Sequence, residues 1–279
     1  MSYAAQWFLC RFYYRYLHDH LWQQARGSSA SSHPISVVVP AITKDVKPLK
    51  LCLAAANQLI RQPIRARWVV GPESIELRIV AAEAGWDFVC EDRLLPRPAS
   101  ELNCRGWVLQ QFVKFGAAFH VPTEDYLVLD ADTVFVSPQE FVRGGKTVLR
   151  YSDQYELLYG RSLRMILGND RRFPVSFVTH HMMFNRETVK EMLEMTERRF
   201  EKSWWLAFLE DVDRGHLISF SEFELYGNYV VNQPGWTDKY TLEYWHGLDR
   251  DAEDLPGLQI IKEECKRRVN TVSFHWHTQ

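Results

Sequence analysis

Ile35 to Val39 is a short, largely β-branched run ending at Pro40, the mark of a buried strand. Strand and helix signals then alternate. Leu49 to Ile60 has helical character, Arg67 to Val70 is a second strand closed by Gly71-Pro72, and Glu73 to Ala84 is a helix ended by Gly85. Asp87 to Cys90 gives a third strand, Trp107 to Phe119 a helix, and Tyr126 to Leu129 a fourth strand. This alternation predicts an α/β fold with a mostly parallel central sheet flanked by helices. Ligands then belong at the carboxyl ends of the strands. The second half is more mixed, with strand-like runs at Thr147–Arg150, Ser176–Val178, Leu217–Phe220 and Val272–Phe274, and helices at Glu187–Phe200 and Trp204–Asp213.

Ahead of this body, Trp7, Cys10, Tyr14, Leu17 and Leu21 recur at spacings of three and four, predicting a helix over residues 1–26. Phe8, Phe12, Tyr13, Tyr16 and Trp22 widen its aromatic surface, and Arg11, Arg15 and Arg26 add positive charge. Two roles fit: an interfacial helix resting on a membrane, or a helix docked on the body or on a second subunit. Residues 27–34, rich in serine, read as a linker, leaving 35–279 as a single catalytic domain.

Composition narrows the classes. A hydrophobic share of 46% makes the chain globular, and a net charge of −2 removes the basic excess that a broad nucleic-acid surface needs. Five scattered cysteines without a C-x-x-C pair argue against a disulfide framework or structural zinc, and for reduced thiols. No apolar stretch has the length of a membrane span, and charges interrupt the N-terminal run as they would not in a secretory signal. The expected location is the cytoplasm, or peripheral contact with the inner face of the membrane through residues 1–26.

The chemistry centres on Tyr126-Leu127-Val128-Leu129-Asp130-Ala131-Asp132. An apolar strand delivers two carboxylates, at i and i+2, to its carboxyl end, where an extended backbone turns both to one side. Such a pair repels itself unless a cation intervenes. Carboxylate oxygens suit Mg²⁺ or Mn²⁺, which in turn neutralise a diphosphate.

Asp130-Ala131-Asp132 after a hydrophobic strand resembles the D-x-D motif of GT-A glycosyltransferases, the nucleotide-diphospho-sugar transferase superfamily. It lies ~95 residues after the first strand, the gap expected for a nucleotide-binding half of about three βα units. The resemblance implies a GT-A Rossmann-like fold with a mixed, acceptor-side second half. It implies a nucleoside-diphosphate sugar donor, uridine-linked, and a hydroxyl of a glycan or glycolipid as acceptor. Asp132 would ligate the cation, with Asp130 assisting or binding ribose. Pro40, Thr43 and Asp45 stand where the first strand would end beside the nucleotide. Lys114 matches a basic residue near the donor's phosphates, with Gln110 and Gln111 as polar contacts.

Thr179-His180-His181-Met182-Met183-Phe184 and Ser221-Glu222-Phe223-Glu224-Leu225-Tyr226-Gly227-Asn228-Tyr229 also resemble a poorly defined bacterial family of D-x-D glycosyltransferases. Inverting relatives carry an acidic catalytic residue at a helix start in this region, which makes Glu222 or Glu224 the candidate general base. Their separation by Phe223 departs from the commonest pattern, an adjacent Glu-Asp. If the stretch is extended, both acids share a face; if it opens a helix, Ser221 is an N-cap with Glu224 in a capping box, and Glu222 is the better base. Several metal-dependent relatives close the cation's coordination with a C-terminal histidine, a place matched by His275 and His277, which would favour Mn²⁺ over Mg²⁺. His180, His181 and Trp236 are the acceptor-side candidates, although adjacent histidines on a strand point apart.

Two rival readings remain. Asp130-Ala131-Asp132-Thr133-Val134 resembles the D-x-D-x-T nucleophile motif of haloacid-dehalogenase-type phosphohydrolases, in which the first Asp attacks phosphorus. That motif sits on a first strand, whereas three strand signals precede it here. A non-catalytic nucleotide-sugar-binding protein is the other.

Overall fold

The first strand, β1 (Ile35–Pro40), is buried at every position and lies inside the central sheet. It pairs in parallel with β2 (Ile64–Gly71) on one side and with β4 (Asp125–Leu129) on the other. β3 (Asp87–Cys90) extends the sheet beyond β2 in the same sense. β8 (His181–Asn185) closes the far edge, antiparallel to β4, so the order is β3-β2-β1-β4-β8. This computed structural model describes residue 8 and residues 32–152, 154, 156–211, 220–245, 247–251, 257–265 and 269–275.

Alternation along the strands divides the core into two layers. Val38, Val70, Val128 and Phe184 face one side, where α3 (Gly106–Gly116), α4 (Arg186–Phe200) and α6 (Glu222–Asn232) bury Phe112, Phe115, Met192 and Val230. Val37, Val39, Val69 and Leu127 face the other, against Leu49 and Leu53 of α1 (Val46–Leu59) and Leu77 of α2 (Ile75–Glu83). The expected mostly parallel sheet flanked by helices is therefore present, with β8 as its antiparallel member. The carboxyl ends of β1 and β2 approach closely: a Cβ on Gly71 would stand 2.2 Å from the Ala41 carbonyl oxygen, so only glycine fits there.

Two small sheets complete the second half. β10 (Gly247–Asp251), β11 (Thr271–His275) and β5 (Thr133–Phe135) form one. β6 (Val142–Arg143), β7 (Lys146–Tyr151) and β9 (Tyr240–Tyr244) form the other. Two further helices are α5 (Trp204–Asp211) and α7 (Leu258–Cys265).

The sequence pattern over-reached at Ser176–Val178, which forms only a bridge from Ser176 to Ser152. The Phe177 amide donates 2.9 Å to the Glu224 carboxylate, so this segment spends its backbone on a side chain and not on a ladder. Of the Leu217–Phe220 run, residues 217–219 fall outside the described residues and Phe220 belongs to no strand. The predicted helix over 1–26 falls outside them apart from residue 8, and the linker apart from residues 32–34. Among the described residues, no helix is long and apolar enough to cross a membrane. The four described cysteines, Cys52, Cys90, Cys104 and Cys265, are free thiols.

Candidate functional site

The β4–β8 ladder runs one step past the strand: the Asp130 amide donates 2.9 Å to the His180 carbonyl. The chain then turns, with the Thr133 amide 3.0 Å from the Asp130 carbonyl, and enters β5. β5 pairs with β11, and the Phe274 amide donates 2.9 Å to the Asp132 carbonyl. Asp130 and Asp132 thus stand where the carboxyl edge of the main sheet meets the small C-terminal sheet. His275, the last residue of β11, brings Nδ1 to 3.2 Å from Asp132 Oδ2. Its Nε2 lies 3.2 Å from Asp249 Oδ1 on β10. His180 brings Nδ1 to 3.5 Å from Asp130 Oδ2, and its ring centroid lies 5.1 Å from that of His275.

Behind the pair is a buried charge brace. Lys114 Nζ, on α3, donates 2.7 Å to Asp130 Oδ1 and 2.6 Å to Glu222 Oε1. The Lys114 and Glu222 side chains are 4% and 1% exposed, so neither meets the cleft as a free group. Gln111, one helical turn before Lys114, accepts the Glu222 amide at 2.9 Å through Oε1, satisfying one orphan donor at the start of α6. The Lys114 ammonium also lies 4.6 Å from the centre of the Phe223 ring.

The charges follow from these contacts. Burial works against the Lys114 ammonium, but Asp130 and Glu222 outweigh it and hold Lys114 firmly protonated. Burial would also raise Asp130, yet Lys114 and the His180 ring keep its carboxyl well below the usual carboxylate range. Glu222 is shifted upward, by burial first and by the nearby Asp130 charge, with Lys114 opposing. His275 is pushed up to about 10 by its hydrogen bonds to Asp132 and Asp249. Asp45, on the turn after β1, is raised by burial, with Asp132 and Asp130 adding to the shift, so it feels the same field.

Several sequence-based assignments change. Ser221 is the N-cap of α6, and its hydroxyl accepts the Glu224 amide, so the helical alternative is the one realised. Glu224 is fully buried and spent: Arg171 Nη2 donates at 2.6 Å, the Phe177 amide at 2.9 Å and Asn228 Nδ2 at 3.1 Å. Both of its carboxylate oxygens are thus taken up by partners inside the protein. Glu222 is buried and ion-paired to Lys114 at 2.6 Å. Lys114 and Gln111 brace the D-x-D turn from behind and do not line open space for a phosphate. His181 is buried, accepts a 2.7 Å hydrogen bond from Arg150 Nη1 and packs 5.3 Å from the Phe135 ring. Burial, then Arg150, push it well below the ordinary histidine range, and its side chain lies in the core. Trp236, on the short helix Trp236–Lys239, packs 6.0 Å from Phe173, and none of its ring contacts among the described residues joins it to the carboxylates. Pro40 is buried at the end of β1, and Thr43 is exposed on the turn beside Asp45. His277 lies outside the described residues. Asp249 gave no signal, since Gly247–Asp251 lacks the apolar alternation of a strand and enters the site only by pairing with β11.

The buried Glu224–Arg171 pair carries a direct prediction. Glu224→Ala removes the buried carboxylate shared by the Arg171 guanidinium, the Phe177 amide and Asn228, in a pair whose side chains are 8% and 1% exposed. Unfolding in denaturant should show a loss of about 3–5 kcal/mol. A variant as stable as the parent would return Glu224 to consideration as a functional acid.

The phosphohydrolase reading weakens on geometry. The fifth residue of its motif is Val134, not threonine, and Asp130 follows the fourth strand of the chain, tied to a lysine.

Comparison with known proteins places a model of DUF6492, a family of unknown function, on residues 32–269. No curated protein matches the sequence. Among solved structures, glucosyl-3-phosphoglycerate synthase from Mycobacterium tuberculosis, crystallised with Mn²⁺, UDP and glucosyl-3-phosphoglycerate, aligns with a TM-score of 0.39 and 14% identity, covering 63% of this chain and 68% of that one. The glycosyltransferase GlyE of Streptococcus pneumoniae TIGR4 aligns with a TM-score of 0.43 and 9% identity, covering 88% of this chain and 55% of that one.

Proposed function

We propose that this chain, which belongs to the DUF6492 family, is a metal-dependent glycosyltransferase that moves a sugar from a nucleoside-diphosphate donor to a hydroxyl of a glycan or glycolipid. The observation that carries the reading is the 3.2 Å approach of His275 to Asp132 at the carboxyl end of the parallel sheet. A strand end with two acids, met there by an imidazole from a distant strand, is a donor set for a hard or borderline divalent cation. The residues fit such an ion: Asp132 and His275 face each other, Asp130 is held well below the usual carboxylate range, and His180 Nε2 is buried without a hydrogen-bond partner among the described residues. Asp132 and His275 would hold it, and the imidazole favours Mn²⁺ over Mg²⁺. Such a cation neutralises charge growing on a leaving diphosphate.

The chain's own residues do the rest. Lys114 holds one Asp130 oxygen, so the acid is fixed before a ligand arrives. Glu222 holds Lys114 from the far side and thereby sets where Asp130 points. Asp45 borders the same space from β1, where a nucleotide would lie across the carboxyl ends. Uridine, which the D-x-D resemblance implies, is the base to test first.

A screen of nucleotide sugars by thermal unfolding tests the reading. With Mn²⁺ present and ligand at a hundred times its Kd, binding contributes about 2.7 kcal/mol. For a chain of this size that is a rise in Tm on the order of 5 °C, absent in EDTA. No stabilisation by any nucleotide sugar, or equal stabilisation in EDTA, contradicts it. Turnover of p-nitrophenyl phosphate would instead favour the phosphohydrolase.

A further inference from the structure

The main sheet has a second recess, at the edge opposite Asp130. Asp125 opens β4 and Asn185 ends the antiparallel β8, so both stand at the amino-terminal edge of the parallel strands. They line a cavity of 1010 Å³ together with residues of α4 and of the β6–β7–β9 sheet. The length of β4 separates Asp125 from Asp130, roughly 16 Å, so this recess is not the cleft of the D-x-D pair.

Its lining is of one sign. Among the described residues that border it, Glu124, Asp125, Glu187, Glu191 and Asp238 stand against one lysine, Lys239. Asp125 is buried and held by Asn185 Nδ2 at 2.9 Å and His33 Nε2 at 2.7 Å, while the other four acids are exposed. Like charges gathered around a recess attract a cationic group and repel an anionic surface.

The chain itself brings such a group to the rim. Ser32 and His33 border the same cavity, and the contact of His33 with Asp125 pins the chain there. The residues before them, 1–31, carry Arg11, Arg15 and Arg26 against a single acid, Asp19. In the helix that the sequence predicts over 1–26, 3.6 residues per turn set the three arginines within roughly 60° of one another, beside the aromatic stripe. Arg26 is tied to Ser32 by at most about 20 Å of chain, which keeps it in the millimolar range of local concentration. The cavity has room for roughly two turns of helix.

We propose that this cavity is the docking site of the chain's own N-terminal segment, with the end around Arg26 inside it and the arginine face against Glu124, Glu187, Glu191 and Asp238. The occupant is this segment and not a lipid surface, because an anionic membrane that drew the arginines down would meet the same acids with like charge. The docking lies on the far edge of the sheet from the cleft and holds whatever chemistry the cleft performs.

Limited trypsin digestion of the full chain, with cutting after Arg26 followed by mass spectrometry, is the test. At low salt and without lipid, the parent should be cut roughly tenfold more slowly than the triple variant Glu187→Gln, Glu191→Gln, Asp238→Asn. The three acids are exposed, so that variant keeps the fold. About 1 M salt should abolish the difference, since the screening length falls to roughly 3 Å. Replacing the outer arginines, Arg11→Gln with Arg15→Gln, should also speed cutting after Arg26. The protection should be unchanged on dilution. Equal cutting of the parent and the triple variant at low salt overturns the proposal. So does protection that fades on dilution, which assigns the segment to a second copy, or protection that appears only with phosphatidylglycerol vesicles, which assigns it to a membrane.

Discussion

Asp132→Asn is expected to lower nucleotide-sugar cleavage by about 10²–10³-fold while the protein stays folded. The substitution keeps the size of the side chain and removes its charge. The site it leaves is a quarter exposed, so no deeply buried charge is stranded. His275 would lose one of the two carboxylates that hold it, Asp249 being the other. Two readouts should therefore move together: kcat falls, and the Mn²⁺ concentration for half activity rises. Turnover within a few-fold of the parent, or an unchanged metal titration, would mean that Asp132 merely decorates a strand end.

The second large effect is on stability. Lys114→Met should cost about 3–5 kcal/mol, because Asp130 and Glu222 would then share a confined space without a cation. The expected fall in Tm is on the order of 10 °C. Methionine approximates the length of the lysine stem, which separates the loss of charge from the loss of volume. Adding Glu222→Gln to Lys114→Met should recover part of the stability, since one of the two unpaired carboxylates is gone; this coupling is what a charge brace demands and a packing defect does not. A melt within a degree of the parent for the single variant would contradict it.

The first half of the fold was legible because each signal there is local. Short β-branched runs such as Ile35–Val39 mark strands buried on both faces, and Gly71-Pro72 and Gly85 close elements where the chain must turn. The second half is built from short strands whose identity is decided by partners far along the chain. Gly247–Asp251 carries two acids and an arginine and becomes a strand only beside β11. Ser176–Val178 has strand-like residues but gives the Phe177 amide to Glu224.

The site shows the same division. The D-x-D pair stood out because residue type and position at a strand end announce it, and a C-terminal histidine near it was expected without a choice between His275 and His277; the structure places His275 beside Asp132. Spacing did not tell which groups are spent on one another. Lys114, Gln111 and Glu222 lie on two helices that meet behind the turn, and only their packing shows that they brace Asp130 and leave no free group for substrate. Likewise, the left-handed backbone at His180 decides that this histidine, and not His181, faces the carboxylates.

The most direct measurement of the central claim is release of nucleoside diphosphate from nucleotide sugars by the purified protein, with water as the default acceptor. The account predicts release from at least one donor, with UDP-sugars the first to try. Release should stop in excess EDTA, return with Mn²⁺, and be nearly absent in Asp132→Asn. Release that continues undiminished in EDTA, or a protein that cleaves no nucleotide sugar under any metal, would contradict it.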